Sequence, residues 1–256
     1  MSPTPQDIPA QGNRSNMSGS SERIVITGMS GLYPNSHHVK ELADKLYNKV
    51  KNKRWIYAHP EVSEFTGMVP DLEHFDAQFF KVHYRLASSM DSMGRKVLEQ
   101  AYQAIYDAGI NPDSLNGKKV GVYIGSCFSE TEKACFYVAS SRTGFGIPGC
   151  SKAMFANRIS YWLNAKGPSV SIDDACCSSL VALEQAYEAI RRGECDAAIV
   201  GGANLTLHPQ SSIHYGRIVQ ICMDGKTKSF DENADGFIRT EAVNILFLQR
   251  EKEAKR

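Results

Sequence analysis

Ser169-Val-Ser-Ile-Asp-Asp-Ala-Cys-Cys-Ser-Ser-Leu-Val-Ala-Leu183 is the stretch on which the reading of this chain turns. Ser169 to Ile172 alternates as the end of a strand does. From Leu180 the apolar residues return at Leu183, Tyr187 and Ile190, Arg191 and Arg192 fall in what would be the last turn, and Gly193 supplies a stop. A helix is therefore expected to follow the strand, with that apolar set as its face. Cys176 then stands at a strand-to-helix corner, against unpaired backbone N–H groups and the positive end of the helix dipole. Both favour a thiolate, and the same N–H groups can hold a developing oxyanion. The plain alternative is that Cys176 and Cys177 are small apolar core residues.

Outward from this corner, β-branched runs alternate with helical patterns. Strands are expected at Ile24–Gly28, Val120–Gly125, Val170–Ile172, Asp196–Gly202 and Ala242–Gln249, and helices over Val39–Val50 and Arg95–Ala108, the latter stopped by Gly109. Trp55 to Asp71 is irregular, charged and without clear period. Strand, helix and strand in succession argue for an α/β fold with a parallel sheet and crossover helices.

Composition narrows the function classes. The 256 residues carry a net charge of +1 with the signs mixed and no basic stripe, so neither a nucleic acid nor a membrane surface is an expected partner. No apolar stretch is long enough to span a bilayer. Residues 1–22 are rich in Ser, Pro, Gln, Asn and Gly without an apolar core, and are expected to be a disordered tail rather than a signal peptide. The seven cysteines lack metal-ligand spacing and form no evident disulfide framework, which points to a reducing, cytoplasmic compartment. Asp231-Glu-Asn-Ala-Asp-Gly236 has the opening spacing of a calcium loop, but its twelfth position is Ala242 and a strand is expected next, so no metal site is expected.

The cysteine run resembles the active-site signature of β-ketoacyl synthases, here Asp173-Asp-Ala-Cys-Cys-Ser-Ser-Leu180. Further blocks carry the same resemblance: Ile26-Thr-Gly-Met-Ser-Gly31, Phe75-Asp-Ala-Gln-Phe-Phe80, Ala156-Asn-Arg-Ile-Ser-Tyr161, Gly193-Glu-Cys-Asp196 with Gly201-Gly202, and Lys228-Ser-Phe-Asp231 followed by Asp235-Gly-Phe-Ile-Arg-Thr-Glu241. They run in the family's order from about Arg23 to Arg250 and are most similar to the synthase domain of animal, particularly insect, fatty acid synthases. The resemblance implies the N-terminal half of a thiolase-like fold over residues 23–256, a layered parallel or mixed sheet with crossover helices. It implies acyl transfer from an acyl-carrier-protein thioester to Cys176, with a backbone N–H in the oxyanion hole, then condensation with a decarboxylating malonyl thioester. No cofactor beyond the carrier's phosphopantetheine is implied, and the full-length protein is expected to be a homodimer.

The family's catalytic histidines and lysine belong to a second half. None of the seven histidines here lies in a matching motif, although His208 and His214 follow an expected strand on the cysteine's side. Asp174 stands where the family usually has Thr, and Cys177 where it has Ser. Facing the thiolate, Asp174 would oppose its ionisation, so it is expected to turn to its own backbone or to a cation. Ile147, Met154 and Phe155 are the expected tunnel residues, with core packing as the rival explanation for Phe155. An inactive paralogue serving as a dimerisation or carrier-docking scaffold is the alternative to a condensing enzyme.

Overall fold

The computed structural model describes residues 22–48, 60–137 and 144–254. Most of the expected tail, residues 1–21, lies outside these, as does residues 55–59 of the irregular stretch. Glu22, assigned by composition to the tail, belongs to the fold: its carboxylate pairs with Arg250 at 3.1 Å and Lys252 at 3.0 Å.

In chain order the strands are β1 (Ile24–Leu32), β2 (Val120–Gly125), β3 (Ser169–Ile172), β4 (Ala197–Asn204) and β5 (Ala242–Arg250). The helices are α1 (Val39–Tyr47), α2 (Tyr84–Ala87), α3 (Ser92–Asp107), α4 (Glu130–Tyr137), α5 (Gly146–Cys150), α6 (Ala153–Leu163), α7 (Ser178–Arg192) and α8 (Pro209–Ile218).

The strands form one sheet in the order β1-β5-β4-β2-β3. β4, β2 and β3 are parallel, as expected of strands joined by crossover helices. β5 runs antiparallel to both β1 and β4, so the sheet is mixed, as the thiolase-like resemblance allows. Residues 205–241 separate β4 from β5, and that connection is long enough to return the chain in either direction.

Alternation along the strands feeds two cores. Val120, Val122, Ile124, Ile199, Ile245 and Phe247 face α3 and α6, where Val97, Leu98, Ala101, Ile105, Phe155 and Ile159 meet them. Tyr123, Ile172, Ala198, Val200 and Leu248 face the other way, onto Ala182, Ala186, Ala189 and Ile190 of α7. The large residues Leu180 and Tyr187, expected on the buried face of α7, are 69% and 43% exposed. A row of alanines lets the helix approach the sheet closely and turns the larger side chains outward. No helix among the described residues is long and apolar enough to cross a membrane.

Candidate active site

The three parallel strands end together, Gly125 lying in register with Ile172 on one side and Gly202 on the other. In open α/β sheets, ligands bind outside the carboxyl ends of the strands, and this is where α7 begins. A Cβ on Gly125 would lie 2.5 Å from the backbone carbon of Ser178, and one on Gly202 would lie 2.9 Å from the Ser179 Cβ. Two glycines therefore let the first turn of α7 rest directly on the ends of β2 and β4.

Between β3 and α7 the chain turns within a few residues. Ala175 takes a left-handed conformation (φ +46°) and starts a single 3-10 turn over Ala175–Cys177. For a residue with a Cβ this costs about 1–2 kcal/mol, so the turn must be held by its surroundings. Ser178, which is buried, supplies part of the hold. Its hydroxyl donates to the Ala175 carbonyl at 2.6 Å and accepts the Asp174 N–H at 2.9 Å. The Cys177 N–H donates to the Asp174 carbonyl at 3.0 Å. Cys176 and Cys177 are both exposed, which removes core packing as the reason for either. The strand, the corner and the helix are all present, with Cys177 as the residue that precedes α7.

Charge is arranged around the corner by Asp173 of the signature and by Lys152, which had no place in the sequence argument. Lys152 donates from Nζ to the Cys127 carbonyl at 2.7 Å and to Asp173 Oδ2 at 2.6 Å. That lysine, first among the causes, holds the Asp173 carboxyl below the usual carboxylate range. The cationic partner expected for Asp174 belongs to its neighbour: Asp174 is exposed, and among the described residues its carboxylate makes no hydrogen bond or ion pair. The Cys127 thiol is pushed up, by desolvation first and then by the Asp173 carboxylate. The signal for Cys127 was its place two residues after a strand that ends in glycine; Lys152 had no comparable signal.

The remaining candidates fall elsewhere. Ile147 is 69% exposed on α5, and Met154 is half-buried on α6. Phe155 is buried in the α3–α6 core, its ring 3.2 Å from where a Cβ of Gly94 would stand, so core packing accounts for it. Cavities of about 590 and 560 Å³ lie along α3 beside His37 and His38, and neither includes those three residues or Cys176. His208 caps α8, its Nδ1 accepting the Gln210 N–H at 3.1 Å, and His214 contacts Gln210. Cys222, Asp224 and Asp235 bring donor atoms within 4.8 Å of one another. Lys228 bonds both carboxylates, at 3.1 and 2.8 Å, and supplies the positive charge there itself.

Residues 21–254 match the family described as Beta-ketoacyl synthase, N-terminal domain. The fatty acid synthase of the goose Anser anser anser is 43% identical over 240 residues, covering 92% of this chain and 68% of that sequence. Polyketide synthase PksL of Bacillus subtilis (strain 168) is 37% identical over 250 residues, which make up 91% of this chain and 5% of that protein. The solved ketosynthase from module 6 of the bacillaene synthase of Bacillus subtilis 168 superposes with a TM-score of 0.80 at 37% identity, covering 90% of this chain and 40% of that one. The expected thiolase-like α/β class agrees with this neighbour, and nothing in the comparisons favours an inactive scaffold.

Proposed function

This chain belongs to the β-ketoacyl synthase family, as its N-terminal domain, and from that premise we propose that Cys176 is its acyl-accepting nucleophile. The observation that carries the proposal is an exposed thiol on a left-handed turn, directly before α7 and over the joined ends of three parallel strands. The sulfur attacks the carbonyl of an acyl thioester, the carrier thiol leaves, and the acyl group stays on Cys176. The Cys176 N–H is the proposed donor to the oxyanion that forms in between. In the condensing step a malonyl thioester loses CO2, its enolate attacks the acyl carbonyl, and the Cys176 thiolate departs as the new carbon–carbon bond closes. Groups that steady the enolate would come from a second half of the synthase: His38, His83 and His208 cap helices, His74 pairs with Asp71 and His214 contacts Gln210.

The substrates proposed are acyl and malonyl groups carried on the phosphopantetheine of an acyl carrier protein, in fatty acid synthesis in the cytoplasm. Ile147 and Met154 remain the proposed tunnel contacts, on a surface that a second half or second copy would close. β3 pairs with β2 along one side only, so its other edge offers backbone groups for the proposed homodimer. Incubation with a long-chain acyl thioester followed by intact-mass measurement tests the central step. One acyl mass should be gained and should vanish in Cys176→Ser; an adduct that persists in that variant rejects the assignment.

A further inference from the structure

One ammonium group joins three segments that converge on the Cys176 turn. Lys152 lies just before α6, Cys127 just after β2 and Asp173 just after β3, and Lys152 Nζ bonds both of the latter. The backbone of the lysine is itself anchored, its carbonyl accepting the Ser171 hydroxyl of β3 at 3.0 Å. Asp173 stands two residues before Ala175, so the lysine grips the chain where it leaves β3 for the turn. Ala175 is the left-handed residue that delivers the chain to Cys176. Its methyl side chain can hold nothing, so its peptide must be held from outside.

We propose that Lys152 is a positioning residue for acyl transfer: by tying Asp173 to the Cys127 carbonyl it fixes the chain between β3 and the Ala175 turn and so sets the direction of the Cys176 sulfur. The inference rests on Cys176 being the acyl acceptor. The Lys152 and Asp173 side chains are 27% and 49% exposed, and an ion pair so open to water adds little to global stability. A misdirected sulfur, in contrast, loses reaction geometry directly. The effect therefore belongs in the rate of acylation and not in the melting temperature.

The test is single-turnover acylation of the full-length enzyme by a long-chain acyl thioester, with Lys152→Met, Lys152→Arg, Asp173→Asn and Cys176→Ser. Lys152→Met should acylate roughly ten- to a hundredfold more slowly at saturating donor, with the half-saturating concentration and Tm unchanged. Lys152→Arg, which keeps the charge and two donors, should recover most of the rate. Asp173→Asn breaks the same link from the other end and should slow acylation comparably, which keeps the test open if Lys152→Met does not fold. Wild-type acylation in Lys152→Met or Asp173→Asn, or a loss confined to the half-saturating concentration, overturns the proposal. If those variants are unimpaired while Cys176→Ser takes no acyl group, only the positioning role fails. An adduct surviving in Cys176→Ser instead removes the nucleophile on which it rests.

Discussion

Gly125 and Ser178 are so close that a methyl group on the glycine would sit 2.5 Å from the serine's backbone carbon. Ser178 holds the Ala175 carbonyl, so displacement at this point passes straight to the turn bearing Cys176. Gly125→Ala is expected to destabilise the fold by about 1–3 kcal/mol, as overpacking does, and to slow acylation of Cys176 by more than that stability loss explains. Urea titration and single-turnover acylation measure the two effects. Unchanged stability would mean that the contact relaxes freely.

Alkylation should separate the cysteines. Burial pushes Cys150 up to about 12, with help from Cys135, and Cys195 up to about 11. Cys222 is raised by its hydrogen bond to Asp224, and Cys127 by desolvation and Asp173. The thiolate is the reacting species, so iodoacetamide at about pH 7 should modify Cys176 before any of these four. Peptide mapping of a time course reads the order, and Cys127 reacting first would contradict it.

The outer face of α7 should make this chain associate. Leu180 and Tyr187 are open to water while the alanine face of the same helix is buried, and an apolar surface of that kind seeks a cover. Light scattering after size exclusion should give masses above the 28.3 kDa monomer, shifting back toward it in Leu180→Lys. A monodisperse wild-type monomer would refute this expectation.

Asp91 should give stability a pH dependence of known sign. It caps α3 by accepting the Met93 N–H at 2.8 Å, it accepts the Ser129 hydroxyl, and burial pushes its carboxyl above the usual range in spite of those bonds. The folded chain thus keeps this proton to higher pH than the unfolded chain. The contribution is fully present below the unfolded value, about 3.9, and is lost as pH rises through the folded one. Asp91→Asn retains a capping oxygen and cannot ionise. Its stability relative to wild type should rise as pH is raised from about 4 to about 7, by urea titration, whereas a pH-independent difference would count against the assignment.

Much of this was legible from local pattern. β2 spans Val120–Gly125 as its glycine-bounded apolar run indicates, and Gly193 ends α7 in a left-handed conformation (φ +75°) as a C-terminal glycine should. The corner at Cys176 was legible for the same reason: strand, turn and helix start are short-range features. Four matters were not. The direction of β5 depends on a pairing partner more than two hundred residues away. The face of α7 was read only in part: Ile190 is buried and Leu183 packs against the core, but Leu180 and Tyr187 are exposed because close helix–sheet contact selects Ala182, Ala186 and Ala189. The Lys152 link joins residues from three separate segments, and no spacing announces it. Glu22 carried the composition of a tail, yet is held by Arg250 and Lys252.

β5 lies between β1 and β4, and Ile24 pairs with Arg250. On the ribosome, β1 is finished long before the strand that flanks it exists. Until that strand emerges, the nascent chain carries two unzipped edges, on β1 and on β4, each able to recruit a stray strand. Closing the gap means bringing together segments at opposite ends of the domain, a slow event in sheets dominated by distant pairings. The interval between translation of β1 and of β5 is therefore when those edges are most open to mispairing.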